Sequence, residues 1–143
     1  MSRDELQVLG SGLIRFTFGD SEALCDELLR LVRAGVKTAT CGALREFGPG
    51  KDAMPVVGRR DIALTWDGSP ALLIETVEVF QARFCDVDEG FALAEGENRD
   101  LAGWRRDHQR YFERNGGFDD EMILVCERFR LVHDFAAPDN PEE

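Results

Sequence analysis

Apolar residues cluster at Leu13, Ile14, Phe16 and Phe18, a loose alternation that reads as a short extended segment. Gly19-Asp20-Ser21 then offers Asp20 or Ser21 as an N-cap. Leu24, Leu28, Leu31 and Val32 recur at helical spacing behind it, and Gly35 supplies the glycine that ends such a helix. The threonines in Thr38 to Leu44 favour an extended path. Positions 47–60 hold Gly48-Pro49-Gly50, Pro55 and Gly58 and read as a turn-rich loop. A strand is predicted over Ile62 to Trp66, a hairpin-type turn at Asp67-Gly68 and a long strand over Ala71 to Phe80. On that strand Glu75 shares a face with Leu73, Val77 and Val79, and Glu78 shares the other with Ile74 and Phe80. One acid is therefore expected to face inward.

Glu89 to Glu113 is helical in pattern, with a break near Gly96-Glu97-Asn98. Trp104, His108, Tyr111 and Phe112 form a stripe along one side of it, which is ordinarily core packing. Gly116-Gly117 stops the helix, and a last strand over Met122 to Val132 places Ile123, Val125, Phe129 and Leu131 on one face. Neither βαβ alternation nor a glycine-rich phosphate loop is visible. The order of helix, strands, long helix and strand predicts an α+β domain built on a small curved sheet or barrel.

The 143 residues fit one domain, assigned to 1–135, with an acidic tail over 136–143 expected to fray. No apolar run spans a membrane, and Met1-Ser2-Arg3-Asp4-Glu5 opens no secretory signal, so a soluble cytoplasmic protein without a membrane partner is expected. Cys25, Cys41, Cys85 and Cys126 lie far apart, and the only histidines are His108 and His133. That spacing supports no zinc site, and neither metal nor cofactor is expected. Cys25 and Cys126 read as buried thiols in a reducing compartment. The net charge of −11 argues against a broad nucleic-acid surface, although Arg99, Arg105, Arg106, Arg110 and Arg114 form a local strip. On its own that strip reads more readily as a solvated helix face.

Candidate chemistry concentrates in Gly35-Val36-Lys37-Thr38-Ala39-Thr40. Fifteen of the 17 basic residues are arginine, and the only other lysine is Lys51. A lysine after a helix stop either meets the helix dipole and its last carbonyls or, when desolvated, serves as a reactive amine.

The ordered set Leu31-Val32-Arg33-Ala34-Gly35-Val36-Lys37-Thr38-Ala39-Thr40, Pro55-Val56-Val57-Gly58, Ile74-Glu75-Thr76-Val77-Glu78-Val79, Ala94-Glu95-Gly96-Glu97, Trp104-Arg105-Arg106-Asp107-His108, Tyr111-Phe112 and Val125-Cys126-Glu127-Arg128-Phe129 resembles the ASCH domain family, in particular its longer-chain members. The likeness runs from about Phe16 to Val132. It implies a PUA-like small β-barrel with flanking helices and a cleft beside the Gly-x-Lys segment. Small members resemble amidohydrolases that remove acyl groups from N4 of cytidine derivatives, and longer members are linked to ribonuclease activity. The amidohydrolases' catalytic lysine, threonine and glutamate match Lys37, Thr40 and Glu97. Thr38, Glu75, Arg45, Arg105 and His108 are the accompanying substrate-binding candidates. The motif's usual arginine is replaced by Gly42, with Arg45 the nearest cation.

In such a pocket burial would favour a neutral Lys37 and an adjoining Glu97 a charged one. For amide cleavage Thr40 or Lys37 would attack the acyl carbon and Glu97 would carry protons to the leaving amine. Glu75, if inward, would orient Lys37 or accept from a cytosine-like amino group; otherwise it pairs with an arginine such as Arg128. RNA cleavage would call on Lys37 and His108, and simple RNA binding on Trp66, Tyr111 and the arginine strip. The acidic body favours an uncharged nucleoside over single-stranded RNA. The expected function is hydrolysis of N4-acylated cytidine-type compounds, with RNA binding or ribonuclease action in the same cleft as the alternative. Removing the Lys37 side chain is then expected to abolish turnover with little effect on thermal unfolding.

Overall fold

The computed structural model describes residues 12–136. Among these residues five strands and three α-helices follow one another as β1 (Arg15–Thr17), α1 (Glu22–Arg33), β2 (Ala39–Ala43), β3 (Arg60–Leu64), β4 (Pro70–Arg83), α2 (Glu89–Ala94), α3 (Leu101–Arg114) and β5 (Ile123–Asp134). The strands form one sheet of order β1-β3-β4-β5-β2, antiparallel except for the β1–β3 pair. This is the α+β architecture expected. The sheet is not closed, because β1 and β2 are its two edges rather than paired neighbours.

α1 begins where the sequence places it: the Ser21 hydroxyl accepts from the Leu24 amide, and Gly35 takes the left-handed conformation (φ +75°) just beyond the helix. The buried face of α1 is wider than predicted, adding Cys25 and Leu29 to Leu28, Leu31 and Val32. Asp88 and Asp100 cap α2 and α3 by accepting from Phe91 and Gly103. The predicted break in the long helix is the six-residue link between them.

β4 and β5 are long enough to serve two cores. Phe18, Cys25, Leu28, Leu29, Val32, Leu72, Ile74 and Phe129 pack together beneath α1. Phe84, Phe91, Trp104, Phe112, Leu124 and Cys126 form the second cluster with α2 and α3. Strand alternation is interrupted accordingly. Leu124, Val125 and Cys126 are all buried in succession, whereas Ile123 and Leu131, placed on one face with the buried Val125 and Phe129, are exposed. Bulges between Leu73 and Ile74 and between Thr76 and Glu78 shift the β4–β5 register, and a one-residue slip exchanges faces.

β3 starts two residues before the predicted strand and ends at Leu64, leaving Trp66 exposed beside the turn. Among the described residues no helix is long and apolar enough to cross a membrane. Of the tail expected over 136–143, only Ala136 lies within the described residues. Its amide donates to Asp134.

Candidate active site

The chain leaves α1 through a turn that carries Lys37 into the interior. The Leu31 carbonyl accepts from the amides of both Val36 and Lys37, and the Thr38 amide donates to the Ala94 carbonyl at the end of α2. The Thr38 carbonyl then accepts from the Phe129 amide, tying the segment to β5. Lys37 is thereby fixed between the two cores and is only 2 % exposed.

Burying an ammonium requires partners for its protons. Three acceptors converge on Lys37 Nζ: Glu97 Oε2 at 3.1 Å, the Glu95 carbonyl at 3.3 Å and Glu95 Oε1 at 3.5 Å. They match the three N–H donors of a charged lysine. The ring of Phe18 lies 5.8 Å from Nζ on the side of the first core.

Glu95 is the acid that reading the sequence for function left out. It is 2 % exposed, and its side chain touches four groups. Trp104 Nε1 donates to Oε2 at 2.6 Å and Cys41 Sγ donates to the same oxygen at 3.5 Å. Lys37 Nζ and His108 Nε2 both lie 3.5 Å from Oε1. Burial pushes the Glu95 carboxyl up, but attraction to Lys37 and His108 and the hydrogen bonds from His108 and Trp104 outweigh it, leaving the group below the ordinary carboxylate range.

The link that holds both acids depends on Gly96. It has φ +81°, and a Cβ there would lie 2.8 Å from the Val36 carbonyl oxygen and 2.9 Å from Lys37 Cα. Glycine is needed twice, for its conformation and for the close approach of two backbones.

His108 stands one turn after Trp104 on α3, its ring stacked on the indole at 4.3 Å. Nδ1 lies 2.9 Å from the Trp104 carbonyl. A carbonyl only accepts, so Nδ1 carries a proton and Nε2 faces Glu95. Burial pulls the His108 imidazole down, yet Glu95 and, more weakly, Glu97 raise it above the ordinary histidine value. Cys41 is held as a thiol, because burial and the Glu95 charge push it well above its usual value.

These groups open onto a cavity of about 360 Å³ lined by Phe18, Gly19, Leu24, Leu28, Lys37, Thr40, Cys41, Glu95, Glu97, Asp107, His108, Arg110, Tyr111, Phe112 and Arg114. Lys37, Thr40, Glu97 and His108, four of the residues selected from sequence, therefore share one chamber. The others stand apart from it. Thr38 is exposed and its hydroxyl donates to the Ala94 carbonyl. The Arg45 guanidinium donates to the carbonyls of Asn115 and Gly117, fastening the turn after β2 to the end of α3. Arg105 donates to the Cys85 carbonyl.

Glu75 is clamped by Arg60 and Arg130, each at 3.0 Å, rather than reaching Lys37. The pairing predicted as its structural role is thus realised, with different arginines. Glu78 is exposed and lies 3.6 Å from Arg128, so neither acid of β4 faces the interior. Gly42, which replaces the motif arginine, packs against Phe47, whose ring lies 3.2 Å from where a Cβ would be.

Among the described residues, Cys41, Glu95 and His108 bring potential metal-ligand atoms within 4.8 Å of one another. A cation there would compete with Lys37 for Glu95 and would have to displace the Cys41 proton. The set is better matched to protons than to a metal. A second cavity of about 260 Å³ adjoins the first, sharing Phe18, Gly19, Thr40, Cys41 and Tyr111. Both lie between β1 with the turn after it and β2, at the gap where the sheet remains open.

Comparison with known proteins agrees with the fold and with the motif order. The structure of an ASCH domain from Lactobacillus crispatus JV V101 is 29% identical, covering 92% of this chain and 86% of its own, with a TM-score of 0.77. Protein EF3133 from Enterococcus faecalis V583 is also 29% identical, covering 93% of this chain and 86% of its own, with a TM-score of 0.81. No curated protein matches the sequence. The sequence profile of the ASCH domain matches residues 14–133, nearly the whole described chain, and the protein belongs to the ASCH domain family.

Proposed function

We propose that the protein is an amidohydrolase that removes the acyl group from N4-acylated cytidine-type compounds. The observation that carries this reading is the buried Lys37 ammonium at the base of a cavity whose wall also holds Thr40 and Glu97. In this scheme Thr40 is the nucleophile and Glu97 the base. Glu97 fits that role because its side chain is 23% exposed and reaches both Lys37 and the cavity. The Thr40 oxygen bonds to the acyl carbon as its proton passes to Glu97. Lys37, with its charge already fixed, balances the negative oxygen that develops on the acyl group. Tyr111 and Phe18 provide ring faces for the nucleobase. Water then hydrolyses the acyl-threonine ester, returning Thr40 and releasing the carboxylic acid.

An RNA substrate has less support. Arg114 is paired with Asp20, Arg106 with Asp107, and Arg105 is bonded to a backbone carbonyl. Much of the strip that would meet phosphates is already engaged, on a body of net charge −11. The test is release of cytidine from N4-acetylcytidine by the purified protein, compared with Thr40→Val and Lys37→Met under conditions where all three are folded. Turnover lost in both variants is expected. Turnover retained by either would overturn the scheme, and cleavage of RNA oligonucleotides in place of the nucleoside would transfer the site to ribonuclease chemistry.

A further inference from the structure

We infer that His108 is the acid that protonates the leaving amine, and that Glu95 links it to Lys37 in a single proton-handling unit. The inference rests on the reaction proposed above, in which Glu97 takes the Thr40 proton and returns it to Thr40 when the ester is hydrolysed, so the leaving nitrogen draws its proton from a second acid. When the C–N bond of an N4-acyl group breaks, its electron pair moves to the exocyclic nitrogen, and that nitrogen must gain a proton to depart as an amine. Lys37 is already assigned to the negative oxygen that develops on the acyl group. Cys41 holds its proton too tightly, burial and the Glu95 charge both favouring the thiol.

His108 has the required geometry. Stacking on Trp104 and the Nδ1–H bond to the Trp104 carbonyl fix the ring, so that Nε2 is the atom presented to Glu95 and the cavity. Glu95 Oε1 lies 3.5 Å from Nε2 and 3.5 Å from Lys37 Nζ, so one carboxylate oxygen serves two cations. In the forward step Nε2–H moves to the nitrogen, the C–N bond breaks, and His108 is left neutral. When water attacks the acyl-threonine, its proton returns to Nε2 and the unit is restored. Overall, amide and water become acid and amine, with no other reactant.

The charged and titratable groups facing His108 agree with this role. Glu95 and Glu97 come from the link after α2, Lys37 and Cys41 from the β2 side, and Asp107 and Arg110 from its own helix. The two glutamates, Glu95 and Glu97, favour the imidazolium, which is raised above the ordinary histidine value despite burial.

The test has two arms. In the first, His108→Gln is compared with wild type on N4-acetylcytidine and on p-nitrophenyl acetate, whose phenolate departs without a proton. In a single turnover, release of cytidine is expected to fall about 10²–10⁴-fold, the usual contribution of a positioned acid, while the burst of p-nitrophenolate, which precedes attack by water, is nearly unaffected. An equal fall for both would overturn the donor role. In the second, nitrogen-15 NMR follows the His108 ring, readily distinguished because His133 is the only other histidine. Its titration midpoint is expected to fall in Glu95→Gln and rise in Lys37→Met, where the competing cation is gone. A midpoint unmoved by both variants would overturn the linkage. Absence of amide turnover by the wild type would count against the proposed reaction, while the NMR arm would still test the unit.

Discussion

Replacing Lys37 by methionine is the most demanding test of the site's energetics, because the structure reverses what the sequence led one to expect. A surface lysine could be lost with little effect on unfolding. Lys37 instead neutralises Glu95, and both are 2 % exposed. Removing one member of a buried pair leaves the other charge uncompensated and typically costs about 3–5 kcal/mol. Glu95 would keep the Trp104 bond at 2.6 Å and its contact with His108, so the lower end applies, about 3 kcal/mol. For a domain of this size that is a loss of roughly 10 °C in Tm.

The sign of the pH dependence is the sharper criterion. In the native protein the Glu95 carboxyl is depressed, so its contribution is present above the unfolded carboxylate value of about 4.5 and lost as pH falls through the folded value. Without Lys37, burial should raise the same carboxyl, and the variant would fold preferentially with Glu95 protonated. The stability gap between the two proteins should therefore be small near pH 4 and widen toward neutrality. Urea unfolding across that interval measures it. A gap that stays constant with pH, or one below about 0.5 kcal/mol, the ordinary effect of a surface substitution, would refute the reasoning.

Gly96→Ala should be among the most damaging single substitutions, since a methyl would strike the Val36 carbonyl and Lys37 Cα in a conformation unfavourable to alanine by about 1–2 kcal/mol even without the clash. A near-silent change in both Tm and turnover would contradict the close approach. Trp104→Phe preserves most of the buried ring but deletes the donor to Glu95, with an expected cost of about 1.5–3 kcal/mol for a bond to a charged group; equal denaturant midpoints would count against that bond. Cys126, fully buried and pushed up to about 12, should resist iodoacetamide in the native protein at pH 8 and react only on unfolding. Prompt native labelling there, read by peptide mass spectrometry, would contradict its burial.

The sequence made the local signals legible. Ser21 and Gly35 bracket α1, the helix break falls at Gly96-Glu97-Asn98, and the motif order identifies the family. Lys37, Thr40, Glu97 and His108 were all recoverable as members of one chamber. Glu95 was hidden because nothing in its neighbours distinguishes a buried acid from an exposed one; both acids occur within Ala94-Glu95-Gly96-Glu97. Its burial comes from Trp104 and Lys37, nine residues away in one direction and 58 in the other. Arg45 and Glu75 were misplaced for the complementary reason. Their partners, the Asn115 and Gly117 carbonyls and Arg60 with Arg130, are assembled only by the turn after β2 and the β3–β4–β5 pairing. Simple alternation also fails along β5, where Leu124, Val125 and Cys126 are buried in succession while Ile123 and Leu131 are exposed.

The open edge of the sheet sets a limit on engineering this fold. β1 spans only three residues, and Gly19, whose Cβ would meet Leu24 at 2.8 Å, turns the chain away toward α1. A designer seeking greater robustness would naturally lengthen β1 until it met β2, adding backbone pairing and removing an exposed edge. That repair would fill the space now bounded by Phe18, Gly19, Thr40 and Cys41, which belongs to both cavities. Thermal hardening by completing the barrel and retention of a substrate chamber are therefore competing objectives in this chain, and its short first strand is where the compromise between them is drawn.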